Sequence, residues 1–378
     1  MYLIGYDIGS SSIKAALIDV HSGEDLYVHQ EPGKEMNIIS NDPDWAEQDP
    51  LVWWEHVCSA TKAILEVTKI DPKKIQGIGI AYQMHGLVLV DKNKELIRPA
   101  IIWCDSRAVD IGAKAFDEIG HEECLEHFLN SPGNFTASKL KWVKENEPSN
   151  YNRIYKLMLP GDYIAMKLSG SISTSISGLS EGVFWDFKEK SIAHLLLDQF
   201  ELDESMIPEI HDAISIQARV NDEGASQTGL IAGTPISYRA GDQPNNALAL
   251  NVLEPGEVAA TGGTSGVVYG VVEKPMFDIA SRVNAFAHVN YTNDKTRIGI
   301  LLCINGAGIQ YSWMRKYMGQ EFVSYEDMEH AISAIPIGSD GLIILPFGNG
   351  AERMLENVNL GAKYENVNFN RHTNLHFF

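Results

Sequence analysis

Apolar residues run from Leu3 to Asp7, break at a Gly9-Ser-Ser-Ser12 turn and resume from Ala15 to Ile18, which predicts strand, tight turn, strand. Residues 42–48 then read as an irregular loop. Asp49-Pro50 opens a helix with proline at its first position, and Leu51, Trp54, Val57, Cys58, Ile64 and Leu65 share one apolar face. Trp53 and Trp54 are expected in or near the core. A strand from Ile75 to Ala81 leads into Gln83-Met84-His85-Gly86, and a further apolar run, Leu87 to Val90, turns at Asp91-Lys-Asn-Lys94 toward Pro99–Asp105. Strands alternating with one clear helix predict an α/β domain built on a mixed sheet.

Helical spacing dominates from Val109 to Lys144, interrupted at Asn130–Phe135, with a separate helix expected over Thr136–Lys144. A short strand ends at Leu157–Asp162, a Ser/Gly-rich stretch comes next over Thr174–Asp186, and helical spacing returns between Ile192 and Ile207. Pro235 to Ala240 reads as a strand ending in Gly241-Asp242-Gln243-Pro244, with a helix from Asn245 to Leu250. The chain then repeats its opening design. Glu257–Thr261 is a strand, Gly262-Gly263-Thr264-Ser265-Gly266 a turn, and Val267–Val271 the returning strand. Two domains are therefore expected, 1–240 and 241–378.

Composition narrows the function classes. The 378 residues carry 30 Lys and Arg against 50 Asp and Glu, a net charge of −20, with no basic block. That balance opposes binding to nucleic acid or to an anionic membrane. The four cysteines, Cys58, Cys104, Cys124 and Cys303, lie far apart without metal-ligand spacing, the usage of reduced thiols in a cytoplasmic protein. No signal peptide or membrane span is expected, because Asp7 interrupts the N-terminal apolar run.

The turn after the apolar run at residues 3–7 brings together backbone amides, three hydroxyls, Asp7 on entry and Lys14 on exit. These groups suit a polyphosphate and its magnesium, although an ordinary surface hairpin carries the same pattern. Two polar clusters stand at strand ends, where open α/β sheets place ligands: Gln83, Met84 and His85, and Trp103, Asp105 and Arg107. A hydrogen-bonded structural histidine and a local Asp105–Arg107 ion pair are the alternatives. A Walker A loop, protein-kinase signatures and a GxGxxG fingerprint are absent from the sequence. There remains the two-domain ATPase architecture of actin, hexokinase and sugar kinases, with two phosphate loops closing on one nucleotide.

The motifs resemble the FGGY carbohydrate kinases from residue 1 to about 370. They read Asp7-Ile-Gly-Ser-Ser-Ser-Ile-Lys14, Trp45-Ala-Glu-Gln-Asp-Pro50 with Trp53-Trp54, Gln83-Met-His-Gly86, Arg98–Arg107, Leu159-Pro-Gly-Asp-Tyr163, Gly241-Asp-Gln243 and Gly263-Thr-Ser-Gly266. The resemblance implies an actin/hexokinase-like (ribonuclease H-like) α/β fold, with a sugar-binding first domain and a nucleotide-binding second. The Met84-His85 pair is characteristic of members that act on xylulose, where glycerol kinases carry Arg-Glu. The implied reaction is ATP-dependent phosphorylation of D-xylulose to its 5-phosphate, with Mg²⁺. Asp242 would be the general base. Met84, His85, Trp103, Phe135, Asp242 and Gln243 would line the sugar site. Asp7 would stand near hydrated Mg²⁺, and Ser10, Ser11, Lys14, Gly263 and Thr264 near the phosphates, with Gly306 and Gln310 touching the nucleotide.

Departures from the family pattern are equally specific. Gln243-Pro-Asn-Asn246 replaces small residues, and Asn349-Gly-Ala-Glu-Arg353 lacks the family's Thr-Pro. Relatives continue past the equivalent of Arg371-His372, so the resemblance implies a second domain truncated before its adenine site, with impaired ATP affinity or stability. The alternatives are a family kinase for ribulose, fuculose, gluconate or glycerol, or a non-catalytic sugar-binding fragment. The expected partners are a small-molecule sugar and ATP, with no nucleic acid and no membrane, and a homodimer is left open.

Overall fold

A computed structural model describes residues 1–263, 265–319, 324–350, 352–356 and 358–378. The opening alternation forms β1 (Tyr2–Ile8) and β2 (Ile13–Asp19), antiparallel, with Asp7 opposite Lys14 and Ile8 opposite Ile13. Ile4, Tyr6 and Ile8 alternate inward from β1, and Ile13, Ala15 and Leu17 from β2. A third strand, β3 (Asp25–Glu31), pairs with β2 and gives the sheet a polar edge. Its sequence, DLYVHQE, has too few apolar positions to mark it as a strand.

Helix α1 (Pro50–Thr68) covers the sheet. Asp49 caps it by accepting from the Leu51 amide, and Trp53, Trp54, Val57, Ala60 and Ile64 enter the core around Ile4 and Tyr6. The Tyr6 and Thr61 hydroxyls hydrogen-bond at 2.7 Å. Leu51, expected on the buried face, is 45% exposed. The seam runs through 53, 57, 60, 61 and 64, a spacing that leaves position 51 on the solvent side. Glu47–Gln48, expected in a loop, pairs antiparallel with Ala100–Ile101.

β4 (Ile75–Tyr82) runs parallel to β1. The helical stretch from Val109 resolves into Val109–Ile119, His121–Phe128 and α2 (Thr136–Asn146). Pro160–Ser169 forms α3, and the Ser/Gly-rich stretch holds the short helix α4 (Ile176–Glu181). Between Ile192 and Ile207 only His194–Phe200 is α-helical, with a 3₁₀ turn after it at Glu204–Met206. β5 (Ile214–Arg219) and β6 (Pro235–Gly241) complete a six-stranded sheet ordered β5-β6-β4-β1-β2-β3, with β6 parallel to β4 and β5 antiparallel to β6. α5 (Asp242–Ala249) begins at Asp242 itself, three residues earlier than the sequence spacing places it.

The chain divides into two compact units. The first comprises Met1–Gly256, Val271–Phe277 and Ala285–Gly299, so both β6 and α5 lie inside it. The second comprises Glu257–Gly270, Asp278–Asn284 and Ile300–Phe378. In the second unit β7 (Val258–Gly262) and the start of β8 (Gly266–Val272) form the expected hairpin, with Gly262 opposite Gly266. β9 (Ile298–Ile304) runs into the second unit and leads to α6 (Ala307–Met318). Among the described residues no helix is long and apolar enough to cross a membrane.

Candidate active site

Three parallel strands of the first unit end level with one another. Ile8 of β1 and Gly241 of β6 both register with Tyr82 of β4. Each strand end gives way to polar residues: the Gly9–Ser12 turn after β1, Gln83-Met84-His85 after β4, and Asp242-Gln243 after β6. Carboxyl ends of adjacent parallel strands are where this class of sheet collects its chemistry.

The turn after β1 is closed by the Gly9 amide donating to the Ser12 carbonyl at 3.1 Å. A Cβ at Gly9 would stand 2.9 Å from that same oxygen, so only glycine fits the turn. Gln48 fixes it from below, donating through Nε2 to the Ser10 carbonyl at 2.7 Å. Trp103 Nε1 reaches the Ser10 hydroxyl at 3.3 Å, and the Met36 amide donates to the Ser11 carbonyl at 2.8 Å. Lys14 Nζ stands 3.6 Å from Asp7 Oδ2, with the two side chains 53% and 42% exposed. Such a pair is weak and leaves Lys14 available to an anion. Burial raises the Asp7 pKa above the usual carboxylate value, against the pull of Lys14. Asp7, Lys14, Tyr238 and Asn245 of α5 line a shared depression of about 230 Å³.

Asp242 occupies the first turn of α5, with Gly241 as its cap. Its pKa is raised from 3.8 to about 6, chiefly by burial and then by the negative charge of Asp7, while the Gln243 amide pulls it back. Gly241 is required by its neighbours: a Cβ there would meet Met84 Cγ at 2.5 Å and Glu181 Oε2 at 2.6 Å. Met84 is buried. His85 adopts a left-handed backbone, φ 60°, and its Nδ1 donates to the Glu181 carbonyl at 2.9 Å. Its ring packs edge-on against Phe135, with centroids 4.8 Å apart, and against Phe286 at 5.5 Å. Trp103 remains 53% exposed beside the turn. Gln83, Met84, His85, Phe135, Asp242 and Gln243 thus share one end of the sheet or line its approach.

Two groups near this end were not legible as part of it, and one was read more widely than it acts. Glu181 is fully buried, and its carboxyl is held well above the usual range by burial first and by Asp242 second. Lys139 is also fully buried. Asp105 and Arg107, by contrast, form the local pair. Arg107 Nε lies 2.9 Å from both Asp105 oxygens, Nη2 lies 2.6 Å from Oδ2, and the guanidinium stacks 4.0 Å from the Trp45 ring. Asp105 also accepts from the Ala46 amide at 2.6 Å, so its oxygens are committed to structure.

The second unit carries its own glycine turn. The Gly263 amide donates to the Ser265 carbonyl at 3.0 Å, and Thr264 lies outside the described residues. Gly306 caps α6 where a Cβ would overlap the Pro346 carbonyl oxygen at 1.5 Å, so the backbone there is glycine-dependent. Gln310, one turn further on, has a buried Oε1 without a hydrogen-bond partner among the described residues. Buried Glu352 receives the Asn305 amide at 3.0 Å on each oxygen, bracing the approach to α6. The sequence marked Glu352 only as part of an altered motif.

No group of three or more His, Cys, Asp or Glu side chains able to hold a metal ion occurs among the described residues. A divalent cation held by one carboxylate, water and substrate oxygens is the mode that suits magnesium. Asp7, part exposed and raised in proton affinity, fits that requirement.

The parallel strand ends and the order of the sheet belong to an α/β fold of the actin/hexokinase-like class, which solved sugar kinases share. Residues 2–249 match the N-terminal domain of the FGGY family of carbohydrate kinases, and the chain belongs to that family. A xylulose kinase of Bacillus subtilis is 27% identical over 351 residues, which cover 92% of this chain and 68% of the relative. The crystal structure of xylulose kinase from Rhodospirillum rubrum superposes with a TM-score of 0.86 at 25% identity, over 100% of this chain and 75% of that one. A gluconate kinase from Lactobacillus acidophilus superposes with the same TM-score of 0.86 at 22% identity, covering 100% of this chain and 74% of its own, a likeness of fold.

Proposed function

We propose that this chain transfers the γ-phosphoryl group of ATP to D-xylulose, giving D-xylulose 5-phosphate. The observation that carries the reading is Asp242 at the end of β6, beside Met84-His85 and with a pKa of about 6. A carboxylate so tuned is ionised at neutral pH yet basic enough to take a proton from a hydroxyl as it attacks phosphorus. Met84, His85, Trp103, Phe135 and Gln243 orient the sugar, and the packed His85 ring restricts which hydroxyls fit. Ser10, Ser11 and the turn amides hold phosphate oxygens, with Lys14 neutralising their charge. Magnesium, held through water by Asp7, supplies charge neutralisation on the phosphates when bound.

On this reading the first unit, which runs past the expected boundary at 240 to Gly256 and so includes Asp242, binds the sugar, and the second binds the nucleotide, where Gly263, Thr264, Gly306 and Gln310 contact ATP. The names of the relatives favour xylulose. The gluconate kinase of equal structural likeness makes another polyol the second reading. ADP release measured with ATP, Mg²⁺ and a panel of D-xylulose, D-ribulose, gluconate and glycerol separates them. Preference for D-xylulose, lost in Asp242→Asn, is expected. Preference for gluconate or glycerol would replace the substrate, and xylulose binding without turnover would leave a sugar-binding role.

A further inference from the structure

Two walls of the sugar site, Met84-His85 and Trp103, are far apart in sequence and need a fixed spacing. One buried cation joins their backbones. Lys139, on α2 one turn beyond Phe135, donates through Nζ to the His85 carbonyl at 2.9 Å and to the Ile102 carbonyl at 3.0 Å. Its side chain is fully buried, and both acceptors are main-chain oxygens. A buried ammonium is costly compared with an apolar side chain of the same length, so packing alone does not account for it.

The loop that Lys139 holds is constrained at His85 and Gly86. His85 sits at φ 60°, its ring is held by the Glu181 carbonyl, and a Cβ on Gly86 would meet Pro160 Cγ at 2.7 Å. Helix α2 supplies three of the contacts on this loop: Phe135 at its cap against the His85 ring, Thr136 Oγ1 to the Gly86 carbonyl at 3.4 Å, and Lys139. We propose that Lys139 is a positioning residue of the acceptor site, tying the His85 carbonyl to the Ile102 carbonyl so that Met84-His85 and Trp103 stand at the spacing the sugar requires. This rests on the reading of that site as the sugar-phosphorylating one. Burial depresses the Lys139 pKa to about 8; Asp105, Cys104 and Glu181 favour its charged form, and Arg107 opposes it.

The experiment compares the parent chain with Lys139→Met, which matches the length and removes the donors, and with Lys139→Ala. Sugar and ATP affinities come from calorimetry, KM values from ADP release, and stability from thermal melting. The expected result is a rise of about tenfold or more in the sugar Kd and KM of Lys139→Met, as displacement of a substrate wall by an ångström brings. ATP affinity and the melting midpoint stay close to the parent's. Lys139→Ala loses the same sugar affinity and regains part of it with added propylammonium but not with propanol.

Unchanged sugar affinity in Lys139→Met overturns the proposal. So does a variant that melts well below the parent and loses sugar and ATP affinity together, which makes Lys139 a structural residue. Failure of propylammonium to restore Lys139→Ala also counts against it. A parent chain that binds no sugar defeats the functional reading itself, and this proposal with it.

Discussion

Asp242→Asn is expected to destroy activity and to stabilise the fold. The Asp242 carboxyl has its pKa raised from 3.8 to about 6 by burial and by Asp7. The native state therefore holds this proton more tightly than the unfolded chain does. Stability from that proton is fully present below pH 3.8 and is lost as pH rises through about 6. The ionised carboxylate then costs the native state about 3 kcal/mol at pH 8, taking 1.36 kcal/mol per pKa unit. Asn is neutral and nearly isosteric, so Asp242→Asn should recover much of that difference. Urea unfolding monitored by circular dichroism is the assay, run on both chains from pH 4 to pH 8. The midpoint of the variant should exceed the parent's at pH 8, and the gap should close toward pH 4. In parallel, parental kcat/KM should fall about tenfold per pH unit below 6, and the variant should lose at least about 100-fold at pH 8. A variant less stable than the parent at pH 8, or equally shifted at every pH, would refute the reasoning that Asp242 is a part-buried base whose charged form the fold disfavours.

Lys14→Ala should raise the KM for ATP about tenfold. Because its pair with Asp7 is half exposed, unfolding should move by less than about 1 kcal/mol. Gly241→Ala places a Cβ 2.5 Å from Met84 and 2.6 Å from Glu181. Denaturation should show a loss of about 1–3 kcal/mol, with kcat falling as Asp242 is displaced. Arg107→Lys keeps the charge but loses the forked contact with Asp105 and the stack on Trp45. Its unfolding free energy should drop by about 2–4 kcal/mol, with the order of sugar preference in the substrate panel unchanged. EDTA in excess should abolish ADP release without shifting the melting midpoint, since no described cluster of side chains holds a metal as part of the fold.

The strand ends were legible because each is an apolar run that stops at polar residues: Ile8 before Gly9, Tyr82 before Gln83, Gly241 before Asp242. Their alignment was not, since register between strands so distant in sequence leaves no local signal. Edge strands β3 and β5 escaped notice because each is exposed on one side and carries mixed polar residues. Glu181 was hidden in a Ser/Gly-rich stretch that reads as loop, yet α4 turns it inward against Gly241. Lys139 lies in a stretch that the sequence marks only as a helix, Thr136–Lys144, with nothing to single it out. Only the tertiary structure shows both faces of α2 near that residue covered, with Lys139 as buried as Leu140. Asp105 and Arg107 illustrate the reverse case. Two charged residues at a strand end suggested a site, and their geometry shows them paired with each other, with Arg107 also reaching Glu47 at 2.7 Å and Asp105 the Ala46 amide.

The central claim is that Asp242 accepts the proton of a sugar hydroxyl in ATP-dependent phosphorylation, and the sugar is D-xylulose. Coupled ADP release with D-xylulose, ATP and Mg²⁺, on the parent and on Asp242→Asn across pH 5 to 8, tests it most directly. The account predicts release that depends on D-xylulose, exceeds that with gluconate or glycerol, falls below pH 6 and is lost in the variant. Release that persists in Asp242→Asn, or that favours another polyol over D-xylulose, would contradict it.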